Sequence, residues 1–69
     1  MEHRALPVPD GLDGSRVDAG LAKLLGFSRT QAADVAASGG VVVDGRVVDK
    51  SDRLRAGAWL EVSWAPPRP

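Results

Sequence analysis

Eight consecutive residues, Val41-Val42-Val43-Asp44-Gly45-Arg46-Val47-Val48, constrain this chain more than any other stretch. β-Branched valines favour extended backbone, and an Asp-Gly pair between two such runs supplies the residues that a tight hairpin turn demands. The segment therefore predicts two antiparallel strands joined by a β-turn. Its register stays open at this level. A pure two-residue loop puts Arg46 on the face of Val41 and Val43, whereas a glycine bulge at Gly45 frees it.

Upstream, the pattern is helical. Val17, Leu21, Leu24 and Leu25 recur at the spacing of one helix face, with Asp18 and Lys23 off that stripe. Ser15 followed by Asp18 reads as a variant capping box, so the first helix is expected to begin near Arg16, and Gly26 supplies a left-handed stop. Ser28-Arg29-Thr30-Gln31 is a cleaner capping box for a second helix. Phe27 before the cap and Ala32 inside it are spaced as a hydrophobic staple. Ala32, Val35 and Ala36 continue a narrow stripe whose small side chains imply close helix packing, and Gly39-Gly40 ends it.

The remaining strands are shorter signals. Residues 4–8 alternate with Leu6 and Val8 on one side, and Pro7 confines such a strand to a sheet edge. Residues 59–64 alternate with Leu60 and Val62 inward, which leaves Trp59 outward. Phe27, Trp59 and Trp64 are read as packing or surface residues, because no basic motif interleaves them. Residues 65–69, Ala-Pro-Pro-Arg-Pro, have the composition of a stiff extended spacer.

A chain of 69 residues holds one small domain, and 43% apolar content reads as globular. Such a size leaves little net stability, so local structure or a neighbouring domain has to help. The absence of cysteine removes disulfide, thiolate-metal and thiol chemistry and fits a reducing compartment, the cytoplasm. No apolar run approaches a membrane span, and the first residues lack the apolar stretch of a secretory signal. An active site is not expected in these residues: the single histidine, His3, sits at the terminus, no acid/base carboxylate pair is visible, and no pocket of useful volume is anticipated.

Nine Lys and Arg balance nine Asp and Glu, so any anionic partner must be met by local clustering. Residues 1–14 carry one positive and three negative side chains, while residues 15–69 carry eight and six, which makes the helix and hairpin region mildly basic. Arg16 and Arg29 stand at the two helix starts, where a cation opposes the macrodipole. A bound phosphate gives that placement a reason, since helix N-termini attract anions and a guanidinium fork completes the site. Arg16 has Asp13 and Asp18 as alternative partners, and Lys50 and Arg53 lie among Asp49 and Asp52.

Taken in order, Arg16-Val17-Asp18 with Leu21-Ala22, Gly26-Phe27-Ser28-Arg29, Gly40 through Asp44-Gly45, Lys50-Ser51, and Leu54 to Gly57 with Leu60 and Val62 resemble one known pattern. It is that of the S-four RNA-binding domain, the αL motif, and it covers about residues 15–62. Within that family the chain looks most like the N-terminal domain of large-subunit ribosomal RNA pseudouridine synthases. The resemblance implies an α+β fold with two packed helices against a small antiparallel sheet. It also implies an RNA-facing surface built from Arg16, Ser28, Arg29 and Gln31 at the helix beginnings, with Lys50 and Arg53 as outer contacts. Two positions depart from the pattern. Ala33 stands where many members carry a second basic residue, which weakens the phosphate surface, and Ala58 replaces the usual aspartate after Gly57.

On this reading residues 1–64 form an RNA-binding domain, with its core at 15–62 and an edge strand at 4–8, and residues 65–69 form a linker to a catalytic domain absent from this chain. The function implied is to position structured ribosomal RNA for uridine isomerisation. No catalysis falls in these residues, and the parent enzyme needs no metal or organic cofactor. Two rivals remain: a free-standing RNA-binding protein of the same fold acting on ribosomal particles, and a protein-docking module using the valine hairpin or Trp59 and Trp64.

Overall fold

A computed structural model describes residues 2–65. At the hairpin, both central residues take left-handed backbone, Asp44 with φ 51° and Gly45 with φ 80°, the pair of angles that a type I′ turn requires. The turn joins β2 (Val41–Val43) to β3 (Arg46–Val47), with Val43 opposite Arg46 and Val42 opposite Val47. The register is therefore that of the two-residue loop, without a bulge. Asp44 also fastens the turn to the strand beyond it. Its carboxylate accepts the Trp59 N–H at 2.9 Å, and its own N–H donates to the Trp59 carbonyl at 2.9 Å.

That further strand, β4 (Trp59–Trp64), pairs antiparallel with β2 on one side and with β1 (Glu2–Pro7) on the other. The sheet order is β1-β4-β2-β3. The N-terminal strand begins two residues earlier than the alternation at residues 4–8 suggested and ends at Pro7, because Val8 leaves the ladder for other partners: it donates to Ala58 and accepts from Gly57. An outer strand tolerates Pro7, since a missing N–H costs nothing on the solvent side.

Two helices cover one face of the sheet. Val17 and Leu21 of α1 (Val17–Leu25) and Ala32 and Ala36 of α2 (Arg29–Ala37) meet Val41, Leu60 and Val62, all essentially inaccessible to water, and Leu54 closes the core from the loop before β4. The inward placement of Leu60 and Val62 and the outward placement of Trp59 follow the strand alternation. Gly26, at φ 73°, ends α1, and its N–H donates to the Ala22 carbonyl. Ser28 caps α2 through a 3.0 Å bond from the Gln31 N–H to its Oγ. Phe27, between the two helices, meets Trp64 edge-to-face at 5.0 Å, so the residue before the cap ties the interhelical corner to β4.

The start of α1 differs from expectation. Arg16, not Ser15, is the N-cap residue, and no side chain caps it. Ser15 is occupied elsewhere, its carbonyl accepting the Leu54 N–H at 2.7 Å. The proline-rich spacer read at 65–69 lies, after Ala65, outside the described residues. Among the described residues no helix is long and apolar enough to cross a membrane.

Gly40 links the end of α2 to the sheet: its carbonyl accepts the Ser63 N–H at 2.8 Å and its N–H donates to the Val35 carbonyl at 3.0 Å. A methyl group there would collide with the carbonyl oxygen of Ser63, which is backbone and cannot swing away, and would crowd that of Val35. Gly40→Ala is expected to destabilise the fold by about 2 kcal/mol, the usual scale of overpacking. Urea unfolding checks this, and an unchanged midpoint would contradict the close approach.

Candidate nucleic-acid interface

At the start of α1 the backbone donors are already taken. The Val17 N–H donates to the Asp52 carbonyl at 2.8 Å and the Asp18 N–H to the Lys50 carbonyl at 3.3 Å, while Ala19 donates to the Asp18 carboxylate at 2.8 Å. Arg16 and Arg53 face each other in an isolated antiparallel bridge. The loop before β4 thus lies across the helix start as a strap, and its carbonyls do the work assigned above to a Ser15 capping box. This corrects one expectation: α1 offers an anion its arginine, not free amides.

The strap is itself ordered by an aspartate. Asp52 accepts the Asp49 N–H at 2.7 Å through its side chain, and its own N–H donates to the Asp49 carbonyl at 3.1 Å. Arg53 donates from Nη1 to the Gly14 carbonyl at 2.9 Å, and Asp13 accepts the Ala56 N–H at 3.0 Å. Asp13 is therefore not the partner of Arg16.

That partner is Asp18. Arg16 Nε lies 3.3 Å from one carboxylate oxygen, and Arg29 Nη2 lies 3.6 Å from the other. The Asp18 side chain is 8% exposed, whereas those of Arg16 and Arg29 are 46% and 65% exposed. Asp18 does lie off the apolar stripe, but it is buried beneath the two guanidiniums rather than solvated. Burial alone would raise its pKa; the Ala19 N–H and the charges of Arg16 and Arg29 outweigh that and hold the carboxyl below its ordinary value of 3.8. Two cations share one anion, so the cluster keeps a surplus positive charge at the surface.

The start of α2 is different. Ser28 Oγ satisfies Gln31, but among the described residues the N–H groups of Arg29 and Thr30 have no protein acceptor. A helix start with free amides and an exposed guanidinium attracts an anion. Of the six residues proposed from sequence, Arg16 and Arg29 are brought together directly. Lys50 and Arg53 are joined to the same helix start through their backbones, and Ser28 and Gln31 are engaged with each other as the cap. Asp18, the residue that unites the two arginines, was not among them. Its signal was its position two residues after Arg16, on the first turn of a helix whose neighbour also begins with arginine.

An open groove of about 380 Å³ lies between the hairpin and the strap, with Arg46, Arg53 and Arg55 among its walls. The expectation of no pocket of useful volume is corrected by it.

Because its pKa is lowered on folding, Asp18 contributes stability in full above the unfolded-state value, and that contribution is lost as the pH falls through the folded-state value. Asp18→Asn is expected to be less stable than the wild type near neutral pH, with the gap narrowing as the solution is acidified below about pH 4. Urea midpoints across that range measure this, and a gap that stays constant would remove Asp18 from its ionised role.

Residues 15–60 match the family model of the S4 domain. Over 62 residues the chain is 58% identical to an uncharacterized RNA pseudouridine synthase of Mycobacterium bovis, and it matches one of Mycobacterium tuberculosis with the same identity and coverage. These alignments cover 90% of this chain and 20% of each relative, so the chain spans about a fifth of the length of the curated relatives it matches.

Proposed function

Because the chain belongs to the S4 domain family of RNA-binding modules, we propose that it holds structured ribosomal RNA for a pseudouridine synthase catalytic domain that is not part of these 69 residues. The observation that carries this reading is the arginine pair on Asp18. Guanidiniums from two different helices are fixed side by side by one carboxylate, and both remain exposed. A plain ion pair would cancel its own charge and explain only helix packing. Here the cations outnumber the anion, and Arg29 stands at a helix start where the dipole disfavours it unless an anion arrives.

In this reading Arg29 contacts an RNA phosphate together with the free amides of the first turn of α2, and Arg16 contacts a neighbouring phosphate. Ser28 and Gln31 form the rim of that site, and Lys50 and Arg53 extend it along the strap. Such contacts are to phosphate and shape rather than base edges, which suits a module that orients a folded RNA while another domain reads and isomerises the uridine. Modest affinity suffices, because tethering raises the effective concentration of the RNA at the catalytic domain. The proline-rich 65–69 segment serves as the tether. The relatives called RNA pseudouridine synthases support this assignment of the larger protein.

Salt titration of binding to a structured RNA tests the site. With about three phosphates engaged, log affinity should fall against log salt with a slope of about −3, and Arg29→Ala should flatten it by about one. Lys23→Ala, at the far end of α1, should leave the slope as it is. A salt-insensitive affinity, or equal slopes for Arg29→Ala and the wild type, would count against the helix starts as the RNA site.

A further inference from the structure

The groove beside the hairpin has its own chemistry. Its inner wall is apolar, from Val43, Val48 and buried Ala58, and its outer wall carries the exposed guanidiniums of Arg46, Arg53 and Arg55. Two acids also line it, but each is committed to backbone: Asp44 accepts the Trp59 N–H and Asp52 accepts the Asp49 N–H. Among the described residues none of the three arginines forms an ion pair. Arg53 spends one N–H on the Gly14 carbonyl, and Arg46 and Arg55 have no side-chain hydrogen bond.

Three guanidinium forks without a carboxylate partner among the described residues, above an apolar wall, suit a ligand that carries phosphate on one side and a flat, weakly polar body on the other. A nucleotide unit of an RNA strand has that form, and the fork matches phosphate bidentately. The groove is also continuous with the arginine pair: Arg53, on its wall, is bridged through backbone to Arg16, whose side chain reaches Asp18 and so Arg29. An arginine-lined path therefore leads from the start of α2, past the start of α1, to the hairpin.

We propose that this groove is a second RNA subsite, taking a single-stranded extension of the helix-bound RNA with its phosphates on Arg46, Arg53 and Arg55 and its base or ribose against Val48 and Ala58. The proposal rests on the reading of the helix starts as an RNA site and extends it in direction and in the kind of RNA held. An acidic protein segment is the competing occupant.

The test uses the full chain and an RNA hairpin made with and without a single-stranded flank of uridines. With flanked RNA, Arg46→Gln/Arg55→Gln is expected to flatten the salt slope by about 1.4, the single-strand value for two phosphates, and with the unflanked hairpin to leave it unchanged. Both arginines are exposed, so the double variant should keep the wild-type thermal midpoint; Arg55→Gln alone, with half the effect, serves if it does not. A slope unchanged on flanked RNA, while Arg29→Ala still flattens it, would overturn the groove as an RNA subsite. If neither variant moves the slope, the helix-start reading falls as well.

Discussion

A short chain without cysteine has to close its core with packing and hydrogen bonds alone, and here everything is placed against β4. It is bonded to β1 on one edge and β2 on the other, its inward residues Leu60 and Val62 form the floor on which both helices sit, and Trp64 receives Phe27 from the interhelical corner. At its beginning, Trp59 exchanges two hydrogen bonds with Asp44, so the hairpin turn is fastened to β4. The strap that crosses the start of α1 is the segment that leads into β4. Sheet register therefore determines where the strap lies, and the strap determines which groups of α1 remain available to a partner.

What remains available is side-chain charge. A helix start normally presents its amides, yet α1 has given its amides to Lys50, Asp52 and Asp18. Asp18 then has acceptor capacity left on both oxygens, beneath a surface where Arg16 and Arg29 arrive from different helix starts. A buried carboxylate without partners would be costly, and the arginines relieve that cost while being held in place by it. The same pairing packs α1 against α2 and aligns two cations outward, so helix packing and anion recognition draw on one set of contacts. This is why Ala33, where a second basic residue was looked for, need not abolish the positive surface.

Most of the fold was legible in the sequence where the determining interaction is local. The Asp44-Gly45 turn, the Gly26 stop, the Ser28 cap and the inward pair Leu60 and Val62 each depend on residues a few positions apart. The choice between loop and bulge at Gly45 was not legible, because Asp44 is fixed by a bond to Trp59, 15 residues away. The Ser15 cap failed for the same reason: the groups that satisfy α1 come from a strap more than 30 residues downstream, and no local pattern announces them. The convergence of Arg16 and Arg29 is suggested by their positions at helix starts, and Asp18 is legible as one alternative partner of Arg16, but its burial and its second contact, with Arg29, are not, because periodicity places a polar side chain off the apolar stripe without showing what covers it.

Net charge was an equally poor guide, and the structure gives the physical reason. Asp13, Asp18, Asp44 and Asp52 each accept a backbone N–H, fastening respectively the strap, the first turn of α1, the hairpin and the turn at 49–52. Their charge is not removed, but N–H dipoles offset it locally and its position is fixed by the fold. Among the described residues no comparable backbone partner occupies Arg46 or Arg55, and Arg16 and Arg29 have one carboxylate between them. A chain with equal numbers of acids and bases can thus expose a predominantly cationic strip, provided its acids are used as structural acceptors and its arginines are not. Neutrality of the sum says little about an anion's view of one face; what matters is which sign of charge the backbone has already engaged.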